Sequence, residues 1–261
     1  VNPDGTGQVL LYPYYTTRLE NDTLISVVNT TDQVKAVKVR FLEGENSREV
    51  LDFNLYMSPF DVWTGSITEG VGGPVFRTAD NSCTVPYFFA GSGELPFVDF
   101  LFNDSGSTGI DRAREGYVEL IEMGEVGGAL GAAAIHGSDG EPADCNTLVA
   151  AWSTGGIWTQ DPTVDLTPPA GGLFGDGVII NVPGARAMGF DAVALDGFST
   201  IIQHRTPSTP EPRLDDVTPA VSYSVLSTGG SPVLVSDDWT LQEPVQAVTA
   251  VLMADQIHNQ Y

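Results

Sequence analysis

Apolar and polar residues alternate most clearly in VKAVKVRFLEG, residues 34–44. Val37, Val39 and Phe41 fall on one side and Lys38 and Arg40 on the other, the period-two pattern of a half-buried strand. GENSRE supplies a turn, and VLDFNLYMSP then alternates Leu51, Phe53, Leu55 and Met57 against Asp52, Asn54 and Tyr56. Residues 34–57 therefore read as two antiparallel partners. Upstream, GQVLLYPYYTT (7–17) is strand-forming with three tyrosines, NDT (21–23) reads as a turn, and LISVVNTT (24–31) as a strand. SPFDVW (58–63) turns into a short strand carrying Trp63, closed by TGSITEGVGGP.

Beyond residue 77 the pattern loosens. Residues 77–114 hold an aromatic cluster broken by Pro86 and Pro96 and read as loops and short strands. EGYVELIEMGEV (115–126) fits a strand or a helix, and GGALGAAAIHGSDGEPADC carries too much glycine to favour either state. From about 150 to 185 the chain is rich in Gly, Pro and Thr. Only GVIINV stands out there, so the stretch reads as a long loop crossing a sandwich face. FDAVALDGFST alternates again, the proline-rich QHRTPSTPEPRLDDVTPA (203–220) reads as a linker, and VSYSVLS, PVLVSDDW and VQAVTAVLMADQIHNQY follow. Turn density and the absence of long amphipathic periods predict an all-β fold. It is an antiparallel β-sandwich, Ig-like or jelly-roll-like, with long Gly/Pro-rich loops, built as one domain over 1–261 or as two packed β units, 1–150 and 151–261.

Composition narrows the partners. Eleven Lys and Arg face 34 Asp and Glu, a formal charge of −23. That sign repels nucleic acid and anionic lipid; salinity, divalent cations or solubility would each account for it. No apolar run is long enough to predict a membrane-spanning helix. A chain opening at Val1 reads as a mature product after signal-peptide removal or as a trimmed one, and the apolar end suggests continuation past Tyr261. Cys83 and Cys145 lack metal-site spacing. If paired, they close a loop of about 60 residues, stabilise by roughly 4 kcal/mol and point to an oxidising compartment. The other reading is two unrelated buried thiols.

Candidate chemistry is sparse. His136, His204 and His258 stand in different contexts and would form a metal site only by converging in space. No GxSxG occurs, and GSG at 91–93 lacks an elbow's strand and helix. Acid pairs (Asp215 with Asp216, Asp237 with Asp238, Asp32 with Glu20) read as solvated surface in so acidic a chain. Asp4, Asp139, Asp144 and Asp176 sit in or near Asp-Gly turns and are candidate ligands of structural calcium, which otherwise are plain turns. GGLFGDG (171–177) lacks the Lys-Ser/Thr of a phosphate loop and reads as a turn. Trp63, Trp152, Trp158 and Trp239 would serve as a sugar platform or as core. NDT, NTT and NDS, starting at Asn21, Asn29 and Asn103, are glycosylation sequons.

GQVLLYPYYTT, NDTLISVVNTTD and VKAVKVRFLEGENSREVLDFNLYMSPFDVWTG, together covering about residues 7–65, resemble the front of a group of uncharacterised exported β-rich proteobacterial envelope proteins. The resemblance implies export and carries over no catalytic residues. The expectation is a secreted or cell-surface structural or adhesive protein, periplasmic as a variant, that self-associates into filaments or a surface layer. In that reading Val9, Leu10, Leu11, Tyr12, Tyr14 and Tyr15 donate a strand to a neighbouring subunit; otherwise they form the first strand of their own sheet. A carbohydrate-binding module with a glycan partner, and a secreted hydrolase using acidic residues, are the alternatives.

Overall fold

The computed structural model describes residues 1–86, 94–100 and 102–214, together with the backbone of two further strands. The elements run β1 (Val9–Thr16), β2 (Asn21–Asn29), β3 (Val34–Glu43), β4 (Glu49–Met57), β5 (Val62–Gly70), β6 (Gly73–Arg77), β7 (Cys83–Val85), β8 (Glu94–Pro96) and β9 (Glu115–Val126). Three short helices follow, α1 (Gly128–Ala134), α2 (Cys145–Ala151) and α3 (Ile157–Gln160), then β10 (Leu166–Thr167), β11 (Leu173–Asn181), β12 (Arg186–Asp191) and β13 (Val193–Leu195). β14 (Val221–Leu226) pairs antiparallel with β15 (Val233–Asp238). The fold is an all-β sandwich of two antiparallel sheets, ordered β13-β1-β9-β3-β4-β7 with β10 beside β9, and β12-β11-β2-β5-β6-β8.

The alternation in β3 and β4 builds the core. Val37, Val39, Phe41, Phe53, Leu55 and Met57 meet Ile25, Val27, Trp63, Ile67 and Phe76 of the second sheet. Phe76 packs 5.5 Å from Trp63 and 5.6 Å from Phe53, centroid to centroid, and Gly65 makes that possible because a Cβ there would overlap the Phe76 ring. Gly175 likewise leaves room for the Tyr12 hydroxyl, which donates to the Ser26 carbonyl at 2.6 Å.

β1 is a central strand, bonded to β9 on one side and β13 on the other. Leu10, Tyr12 and Tyr15 enter the inter-sheet core, while Val9 and Leu11 face the opposite side. A register shift between Tyr12 and Tyr15 absorbs Pro13, which lacks a donor, and turns Tyr14 outward. Residues 9–15 thus fill a slot in their own chain's sheet.

Several local readings are corrected. NDT does not turn: β2 begins at Asn21. Residues 115–126 are strand, the spine between β1 and β3. The Gly/Ala-rich stretch after it forms α1, with Leu130, Gly131, Ala133 and Ala134 buried; its alanines and leucine favour a helix, and packing of that face offsets the two glycines. The supposed loop over 150–185 holds α3, β10 and all of β11, so the turn in GGLFGDG is confined to Gly171 and Gly172. Residues 203–214 are not a free linker, since Gln203, His204 and Leu214 are buried.

Candidate functional site

Lys38, Arg40, Asp52, Asn54 and Tyr56 project from the face of β3 and β4 opposite the core, the side an alternating strand gives to solvent. Here that side is covered, and every residue of β3 is buried. α1, α2 and α3 pack on Ala36, Tyr56 and Met123, and Phe198 and Leu214 pack on Val9, Leu11 and Ile121.

Side chains of the sheet hold the segment 199–209 by its main chain. The Gln8 amide donates to the Ser199 carbonyl and accepts from the Ser199 N–H. The Gln203 N–H donates to the Met123 carbonyl, and the Asn54 amide to that of Arg205. Lys38 Nζ donates to Thr209 O at 2.6 Å and Pro207 O at 3.3 Å. The segment forms no strand ladder, so polar side chains satisfy its carbonyls instead.

At the centre of this cover Tyr56, Trp152, Trp158 and His204 form an aromatic box. Trp158 stacks on Tyr56 with ring planes 10° apart, and His204 lies 4.6 Å from Trp158 and 4.8 Å from Trp152. The Trp152 N–H donates to Tyr56 Oη at 2.7 Å; Tyr56 Oη and His204 Nε2 are 2.9 Å apart, and His204 Nδ1 is 2.8 Å from Pro162 O. One assignment satisfies every atom: Nδ1–H donates to Pro162 O, and the Tyr56 hydroxyl donates to Nε2. Full burial pushes His204 down to about 4 and Tyr56 well up. His204 is a neutral structural bolt.

Buried charges surround the box. Lys35 Nζ donates to Glu122 at 2.8 Å and Glu125 at 2.7 Å, and Glu122 also accepts from the Ala170 and Gly171 N–H groups. Burial pushes the Glu122 carboxyl up despite these donors. Arg40 bridges Glu49 and Glu119. Lys38 Nζ touches Asp52 Oδ2. Burial lowers Lys38 and raises Asp52, against their mutual attraction.

No family model, curated protein or solved structure matches this chain. Its residues alone therefore carry the reading. The Cys83–Cys145 bridge is formed, with the Cα atoms 5.1 Å apart, and ties edge strand β7 to α2. Among the described residues no three His, Cys, Asp or Glu side chains gather for a metal. Asp4 and Asp139 lie in exposed turns, Asp144 caps α2 by accepting from the Asn146 N–H, and Asp176 lies half-buried in β11. His136 stands beside Asp61, 3.6 Å away, apart from the His204 box. Trp63 and Trp158 are core and Trp152 is half-buried. Asn29 is buried and donates to Gln33 O and Ser58 O, so its sequon is inaccessible, whereas Asn103 is exposed. Glu20 and Asp32 are exposed. GSG 91–93, Asp215, Asp216, Trp239 and His258 lie outside the described residues, as do the side chains of Asp237 and Asp238.

Sequence reasoning missed the box and the strap it anchors. The visible signal was Tyr56 in the polar row of β4 and a histidine opening the proline-rich stretch. Nothing in their spacing links residues 148 positions apart. A separate open cleft of about 340 Å³ is lined by Pro13, Tyr14, Tyr117, Arg18, Glu45 and Glu115 among others. Its rim combines Tyr14 Oη donating to Glu115 at 3.0 Å and Arg18 bridging Asp111 and Glu115.

Proposed function

We propose that this chain is a structural module of an exported protein that works outside the reducing cytoplasm and associates with copies of itself. The observation that carries the reading is the disulfide. Cys83 and Cys145 are both buried, and their bridge fastens the helical cover to the edge of the larger sheet; such a bond persists in oxidising compartments.

Association through β1 takes the form of exchange: residues 9–15 leave the slot between β13 and β9 and fill the same slot in a neighbour. Leu10, Tyr12 and Tyr15 are core residues, so deleting residues 1–17 would open the sandwich rather than leave a folded monomer. The test is negative-stain electron microscopy of the secreted protein, with and without a calcium chelator. Filaments or sheets support the assembly role, and their loss on chelation adds calcium to the contacts. Monodisperse single particles under both conditions overturn it.

One observation favours a second reading, a glycan-binding module. The cleft beside Tyr14 sets tyrosine rings next to paired Arg and Glu side chains, the mixture of apolar face and directed polar groups that sugar rings require. Glycan-array binding lost in Tyr14→Ala would favour it.

A further inference from the structure

We propose that Lys38 and Asp52 become joined by an isopeptide bond that the folded chain forms by itself. Lys38 faces Asn54 across the β3–β4 ladder and Arg40 faces Asp52, so Lys38 and Asp52 are diagonal neighbours on one face, a separation that a lysine side chain spans. Their terminal atoms touch, Nζ against Oδ2. The contact differs from the ion pair that Lys35 makes nearby. There Lys35 is shared between two carboxylates, whereas Asp52 Oδ2 is buried against Lys38 Nζ alone. Two other directions around Lys38 Nζ are taken by the carbonyls of Pro207 and Thr209. With two N–H bonds so engaged, the remaining direction of the amine points to Asp52.

The surroundings suit condensation. The Lys38 side chain has no exposure and that of Asp52 is 21 % exposed. Burial favours the neutral amine and the neutral acid, the pair that reacts. Arg40 and Glu49 are the charged groups beside them, with Ile121 of β9 opposite Lys38 and the 207–209 carbonyls above. In the reaction the Nζ lone pair attacks Asp52 Cγ, the C–N bond forms and the Cγ–OH bond breaks. One Nζ proton passes to the departing hydroxyl, and one water leaves. No oxidant or cofactor is needed. A neutral amide removes two ionisable groups whose charged forms the interior solvates poorly, which favours the product.

The test is the intact mass of the full chain after reduction, followed by digestion of the denatured protein with a lysine-specific protease. Lys35 and Lys38 are the only lysines, so the digest is simple. The expected mass is that of the sequence less one water, with cleavage after Lys35 but not after Lys38. Lys38→Arg and Asp52→Ala should each restore the full mass. A wild-type mass equal to the sequence, with cleavage after Lys38, overturns the proposal. So does a water loss that fragmentation maps to an Asp-Gly succinimide at Asp4, Asp139, Asp176 or Asp196. The wild-type measurement decides even where a variant fails to fold.

Discussion

Acidification should loosen the cover of the larger sheet through His204. The imidazole is wholly buried between Trp152 and Trp158, and its folded-state pKa falls from 6.5 to about 4 through desolvation, Arg205 adding a little and the Pro162 carbonyl opposing. In the unfolded chain it titrates near its ordinary value, so between these limits the unfolded state binds more protons. The contribution is fully present above about pH 6.5 and is lost as pH falls through the folded value. A shift of about 2.5 units corresponds to about 3 kcal/mol. The assay is urea unfolding from pH 7 to pH 4 of wild type and His204→Asn, whose amide can donate to Pro162 O but does not titrate. The stability gap between them should be largest at pH 7 and shrink by about 3 kcal/mol toward pH 4. The subtraction removes the carboxylates, which both proteins share. A gap that stays constant across this range would refute a buried neutral His204.

Removing the disulfide with Cys83→Ser and Cys145→Ser, whose bridge spans 62 residues, should lower unfolding free energy by about 4 kcal/mol, read from denaturant midpoints. Lys35→Met leaves Glu122 buried without its cation and should cost about 3–5 kcal/mol; Lys35→Met with Glu122→Leu should recover a large part of that loss in thermal melts. Leu10→Ala in the central strand should cost about 2–5 kcal/mol, the loss expected of a core strand in urea unfolding. In a glycosylating host, peptide mapping should find Asn29 unmodified, and Asn29→Ala, which orphans the Gln33 and Ser58 carbonyls, should destabilise by about 1–3 kcal/mol.

What the sequence determined by itself was local. Alternation in residues 34–57 settled which side chains share a face, because a strand's period of two is a property of the backbone, and the hairpin and half of the core follow from it. The strand character of residues 7–17, the acid surplus and the pairing chemistry of Cys83 and Cys145 were legible in the same way. Alternation does not say what lies against each face. Lys38, Arg40 and Asp52 read as a solvated row, and only the tertiary structure lays residues 199–209 over them, more than 150 positions along the chain. Prolines at 207, 210 and 212 signalled a linker because local rules register the missing donors; the fold supplies Lys38 and Asn54 to their neighbours' carbonyls and makes the stretch a strap. The glycines after residue 127 enter a helix, and Asn29 leaves the surface, for the same reason. Burial against distant segments outweighs propensity, and distance along the chain carries no trace of it.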